Sequence, residues 1–396
     1  MVELAGILEK ETGTGVGRRR LTAGLARLRD VHATLRRGAE NFRWPHLLLP
    51  DDASLDAVIR VAGEMRARVG QSHAQRLVVA GQPGGVETVR MVVDALTPGS
   101  PITWVESEDA ADLPGLEDDG VTWLVLEGPR WADALAEKRV EEGRGVAVAG
   151  EGVHEAPPGG WWISDPVAGD GRFGALGMAS LVCAAWAGVD VRSLVAGARE
   201  MEEACARPAL FENPAYSLAL ATEAVERHLG LVVATHLVPT PRLRGFAAWV
   251  ARLGGAVLSG HQSRDGIRVH RGAGELGGVL GDEEMLEVLL SGTRDKFPIL
   301  WDVDGIETPG RAFTRIWARE GLPTLRVRLP DLEAAALGGA ILLASHAAVT
   351  GALFRDLDPL ALESVRAWYE ALERDARERD EGAGAPADID GGAHTA

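Results

Sequence analysis

Gly159-Gly160-Trp161-Trp162-Ile163-Ser164 is followed by Asp165-Pro166-Val167-Ala168-Gly169-Asp170-Gly171-Arg172-Phe173-Gly174-Ala175-Leu176-Gly177, and then by the apolar run from Met178 to Trp186. The passage reads as an aromatic strand, a tight loop and a helix. The loop carries four glycines, two carboxylates and one arginine. Glycines let a backbone come close to a ligand. An arginine among them offers a planar fork of donors that suits a phosphate or another oxyanion. A strand, loop and helix in succession are also the repeating unit of a parallel sheet covered by helices.

The same unit recurs upstream. Strand patterns fall at Arg76–Ala80, Ile102–Val105, Thr122–Leu126, Gly145–Ala149 and Trp161–Ile163, with helical patterns at Ala53–Val69, Val86–Leu96 and Trp131–Glu142. Short apolar strands alternating with helices predict a parallel sheet with both faces buried. Downstream, three helices are expected at Ala175–Ala187, Val191–Ala206 and Pro214–Leu229. A second set follows, with strands at Gly230–Leu237, Gly255–Leu258, Phe297–Val303 and Thr324–Leu329. Its helices are expected at Pro241–Leu253, Asp282–Leu290, Arg311–Glu320, Asp331–Phe354 and Ala361–Glu378. The expected organisation is an N-terminal helical segment (1–45), a first α/β domain (46–170), a helical connector (171–229), a second α/β domain with C-terminal helices (230–380) and a disordered tail (381–396). The fold class is thus α/β: two tandem three-layer αβα domains of the flavodoxin or Rossmann kind. Ligands of such sheets sit at the carboxyl ends of the strands.

The loop Gly171-Arg172-Phe173-Gly174-Ala175-Leu176-Gly177 resembles the Gly-Gly-Arg-[Phe/Tyr]-Ser-x-[Leu/Trp]-Ser passage of glucose-6-phosphate isomerases, without its serines. Two α/β units in tandem are likewise similar to the SIS (sugar isomerase) fold of that family, so the resemblance spans most of the chain. It implies an aldose–ketose isomerisation through a cis-enediol. That chemistry uses a carboxylate to move a proton between carbons, a histidine and a lysine for ring opening, an arginine beside the enediolate, and a loop of hydroxyls and amides for the phosphate. By resemblance Arg172 is the arginine. The family's Gly-x-Gly-Gly-Ser turn corresponds to Gly81-Gln82-Pro83-Gly84-Gly85, which makes Gly81, Gly84, Gly85 and Gly171 candidate substrate contacts.

The other family elements are altered. The phosphate loop corresponds to Glu127-Gly128-Pro129-Arg130, where the hydroxyls are gone, Pro129 removes an amide, and Gly128 and Arg130 are left as candidate contacts. The catalytic glutamate's place falls on Ala256, which has no titratable group. Glu283 lies near the histidine's place and is the candidate for a displaced proton carrier, although a solvated acidic first turn, favoured by the helix dipole, is the plainer reading of that carboxylate. Arg366 stands at the lysine's place and keeps the charge, but does not release a proton at neutral pH.

Composition bounds the rest. The chain has 396 residues, 46% of them apolar and 25% charged, as in an ordinary globular protein of two domains. A net charge of −17 argues against nucleic acid or an anionic membrane as partner. Cys183 and Cys205 lie in apolar helical context and read as buried thiols rather than a disulfide. Thr12-Gly13-Thr14-Gly15-Val16-Gly17 imitates a phosphate loop without its strand or lysine. His261 and His270 have no companion ligand at metal spacing, and His346 sits on an apolar helix as a core or interface residue. No cofactor and no metal are expected. A cytoplasmic homodimer that takes a sugar phosphate or a related small molecule is expected.

Three readings of function stand on these residues. The first is a family member that has lost most or all isomerase activity and binds, regulates or assembles. The second is an active isomerase that uses Arg172 with a displaced carboxylate such as Glu283 or Asp165. The third is a SIS module for another sugar ligand.

Overall fold

The computed structural model describes residues 2–4, 16–17, 22, 24–68, 76–106, 121–126, 146–150, 160–167, 171–258, 262–263, 266–267, 274–279, 296–306 and 323–360. In chain order the elements are β1 (Val2–Glu3), α1 (Leu25–Glu40), α2 (Asp52–Arg68), β2 (Arg76–Ala80), α3 (Pro83–Leu96), β3 (Ile102–Val105), β4 (Val121–Leu126), β5 (Val146–Gly150), β6 (Trp161–Ser164), α4 (Met178–Trp186), α5 (Val191–Cys205) and α6 (Pro214–Leu229). They continue with β7 (Val233–Val238), α7 (Arg244–Leu258), a short antiparallel pair β8 (Gln262–Ser263) and β9 (Gly266–Ile267), β10 (Gly274–Val279), β11 (Lys296–Val303), β12 (Leu325–Leu329) and α8 (Ala334–Phe354).

The first sheet has the order β3-β2-β4-β5-β6, and every neighbouring pair is parallel. In sequence order this is 2-1-3-4-5, the flavodoxin-like arrangement, whose switch point lies between β2 and β4. The second sheet has the order β1-β12-β11-β7-β10. Four of its strands are parallel and repeat the 2-1-3-4 order. The fifth is the start of the chain: β1 pairs antiparallel with β12. Glu3 reinforces that pairing by accepting from Arg326 at 3.2 Å and Arg328 at 3.3 Å.

β2 and β11 are buried at nearly every position, as strands covered on both faces must be. The helices that link the sheets are dominated by α8. It is 21 residues long with a mean hydropathy of 1.7, apolar enough by composition to cross a membrane, yet 89% of that window lies inside the protein. A helix apolar on all sides belongs in a core. α8 crosses α5 at glycines: a Cβ at Gly197 would collide with the carbonyl of Ala335, and one at Gly338 with the carbonyl of Leu194. α6 is capped by Asn213, which accepts from the Tyr216 amide at 3.0 Å, and ends at Gly230 with φ of 70°.

Two elements differ from the sequence reading. Residues Gly255–Leu258, expected as a strand, form the last turn of α7. The second sheet instead recruits β10, which pairs with β7 along its whole length, from Gly274 opposite Val233 to Val279 opposite Val238. Its Gly277 is where α7 comes close, because a Cβ there would strike the backbone of Ala247. Glycine lowers strand propensity but permits this approach. Both cysteines are buried and unpaired, and burial pushes the Cys205 thiol up to about 12.

Candidate functional site

The loop after β6 is held by Asp165. This carboxylate is almost fully buried and accepts from the amides of Val167 at 3.1 Å and Ala179 at 2.8 Å, which ties the loop to the first turn of α4. Burial raises its pKa, and the amide hydrogen bonds oppose that shift. Two glycines make the closure possible. A Cβ at Gly177 would lie 2.8 Å from an Asp165 carboxylate oxygen, and one at Gly174 would lie 2.9 Å from the Val167 carbonyl. Asp165 thus shapes the loop through these contacts.

Beyond Asp165 the loop runs against the turn that follows β2. Gly171 touches Gly84 backbone to backbone: a Cβ at Gly171 would come within 2.8 Å of the Gly84 carbonyl carbon. Thr88, on the first turns of α3, bolts the contact. Its buried hydroxyl lies 2.7 Å from the Gly84 carbonyl and 3.0 Å from the Gly171 carbonyl. Gly81 at the head of the turn packs on the end of β4, where a Cβ would lie 2.8 Å from that of Leu126. The structure thus brings Gly81, Gly84, Gly85 and Gly171 together at the carboxyl edge of the first sheet, at its switch point. Arg172 is half-buried at their flank. Its guanidinium lies 5.5 Å from the Phe173 ring centroid, and Nη1 reaches the Pro359 carbonyl at 3.5 Å.

The second sheet contributes through α7, which packs antiparallel on α3. Near one end Arg242 Nε donates to the Ala95 carbonyl at 2.9 Å. Next, Gly245 sits so close to Met91 that a Cβ would be 3.0 Å from that residue's own Cβ. Further along, Arg252 pairs with Glu87 and places Nη2 3.5 Å from the Thr88 hydroxyl. Ala256 lies one helical turn beyond Arg252 on α7.

A glucose-6-phosphate isomerase from Carboxydothermus hydrogenoformans is 34% identical to this chain over 136 residues, which make up 34% of this chain and 29% of that protein. A probable glucose-6-phosphate isomerase from Natronomonas pharaonis is 25% identical over 391 residues, covering 85% of this chain and 86% of the relative. Among solved structures, a glucose-6-phosphate isomerase from Chlamydia trachomatis superposes with a TM-score of 0.65 at 13% identity, over 83% of this chain and 74% of that one.

This chain is similar over most of its length to glucose-6-phosphate isomerases and shares the fold of one of them.

A hypothetical protein from Thermus thermophilus shares the fold over 95% of this chain and 99% of its own, with a TM-score of 0.65 at 17% identity. No family model matches the chain. The 34% match spans less than a third of the Carboxydothermus protein's length. The turn after β2 and the arginine loop after β6 are joined through Gly84, Thr88 and Gly171. Gly128, Arg130, Glu283 and Arg366 lie outside the described residues, as do His261 and His270.

Reading the sequence missed Arg252 and the part that Glu87 and Thr88 play beside the glycines. The available signal was spacing: Arg252 precedes Ala256 by four residues, so the two share one face of a helix. A second omission is a buried imidazole pair. His46 Nε2 and His346 Nδ1 are 3.1 Å apart, and both rings are almost wholly inaccessible. His46 also packs on Phe173 of the arginine loop, with ring centroids 5.6 Å apart. Tyr216 stacks on His346 and hydrogen-bonds His32 Nδ1 at 2.7 Å. Burial holds His346 at about 4 and His46 well below its ordinary value, each helped by a neighbouring imidazole. Both residues are thus neutral, and they act as core packing behind the loop.

Proposed function

We propose that this protein is a sugar-phosphate-binding member of the family that has lost most or all isomerase activity and serves a binding, regulatory or assembly role. The observation that carries this reading is Ala256. It stands in the sequence where the resemblance puts the family's proton-moving carboxylate, and a methyl group moves no proton. Loss of a general base costs on the order of 10² to 10⁴ in rate. Asp165 does not replace it, because the loop amides hold its carboxylate. The glycine turn and the Arg172 loop support retained binding, since the backbone approach that a sugar needs is intact at Gly84 and Gly171.

Binding is tested by thermal unfolding of the full chain with 6-phosphogluconate. A ligand at a hundredfold excess over its dissociation constant stabilises the folded state by ~2.7 kcal/mol. A rise in midpoint supports the reading, and no rise at millimolar ligand contradicts it. The protein is proposed to act as a homodimer, for which sedimentation at micromolar concentration is the check.

A further inference from the structure

Glu87 and Arg252 come from helices that belong to different sheets, and they meet beside the Gly84–Gly171 contact. Arg252 is only partly satisfied. One terminal nitrogen pairs with Glu87 and the other reaches Thr88 at 3.5 Å, while Nε is buried without a hydrogen-bond partner among the described residues. A guanidinium has five N–H donors in a fixed fork, so the local chain leaves donor capacity unused. Burial also disfavours its charged form, and a stronger anion would relieve that. The pair remains open to solvent, with 33% of the Arg252 side chain and 44% of the Glu87 side chain exposed. Ion pairs this exposed are weak. On the far side of Arg252, Ala256 contributes only a methyl group.

We propose that Arg252 and Glu87 form an exchange clasp: an anionic sugar displaces the Glu87 carboxylate from the Arg252 guanidinium, and until then the ion pair ties α3 to α7. The ligand class is a sugar bearing a phosphate or a carboxylate. A phosphate dianion presents three acceptor oxygens to the fork, where Glu87 presents a single negative charge. Bound ligand thus takes over the link between the two sheets that Glu87 otherwise makes. The inference rests on the reading of the glycine turn and the Arg172 loop as a site for a sugar anion, and it adds Arg252 as the group that holds the charge.

The test is isothermal titration of 6-phosphogluconate into the full-length protein and its E87Q and R252Q variants, with glucose 6-phosphate and gluconate as separate arms for phosphate alone and carboxylate alone. E87Q frees Arg252 and is expected to bind at least about tenfold more tightly than the unaltered chain, a shift of one decade in the equilibrium constant. R252Q is expected to lose binding. Glu87 is exposed enough for E87Q to fold, and E87A serves as a second variant with the same expectation. If the unaltered chain binds and E87Q binds no more tightly, or R252Q binds equally well, the clasp is wrong while the binding reading stands. If none of the proteins binds any of the three compounds, both are wrong.

Discussion

Thr88 places its hydroxyl 3.0 Å from the carbonyl of Gly171, a residue 83 positions later in the chain, and 2.7 Å from the carbonyl of Gly84. One buried side chain thereby joins the turn after β2 to the loop after β6. Thr88→Val keeps the shape and removes the hydroxyl. Leaving buried carbonyls without their partner costs about 1–3 kcal/mol, so the denaturation midpoint should fall by that equivalent, and Thr88→Ser should recover much of the loss. Gly171→Ala should cost more than either, because its Cβ meets the Gly84 backbone rather than a movable side chain.

The buried imidazoles predict an acid-sensitive core. Their folded pKa values are depressed, so the unfolded chain binds protons more readily and stability rises with pH. The contribution is complete above the unfolded value near 6.5 and declines as pH falls toward about 4, where His346 titrates. Over that window His346 alone accounts for roughly 3 kcal/mol at about 1.4 kcal/mol per pH unit. Urea unfolding at pH 7, 6, 5 and 4.5 should show this slope, and His346→Gln should flatten it.

Two ion pairs at the second sheet should differ in worth. Asp302 is 1% exposed and pairs with Arg326. Arg326→Met leaves a buried carboxylate uncompensated and should cost about 3–5 kcal/mol. Glu3→Gln, at the more exposed end of the same network, should cost less than about 1 kcal/mol. Denaturation midpoints of the two variants, measured side by side, check the contrast.

At the α5–α8 crossing the chain backbones meet without side chains between them. Gly197→Ala and Gly338→Ala should each destabilise by about 1–3 kcal/mol through overpacking. Gly255→Ala, whose Cβ would meet nothing within 4 Å, should cost far less.

Much of the architecture was legible because its signals are local. The apolar runs at Arg76–Ala80 and Ile102–Val105 are strands at those very residues, and the Gly171–Arg172 loop sits between strand and helix. The failures came from long-range packing. Gly254-Gly255 reads as a break followed by the apolar run Ala256-Val257-Leu258, yet burial of Leu253, Val257 and Leu258 carries the helix through. Gly274–Val279 has three glycines and poor strand propensity, and it is a strand because α7 needs a bare backbone to lie on. The partnership of Arg252 with Glu87 joins residues far apart in the chain, and nothing near either one announces it.

The central claim is tested most directly by steady-state turnover of fructose 6-phosphate by the full-length chain in a coupled assay. Enzymes typically turn over at about 1–10³ s⁻¹. On the proposed reading, in which Ala256 takes the base's place, the rate should lie at least about a hundredfold below that range. Turnover within the range would contradict the account and would mean that another group moves the proton.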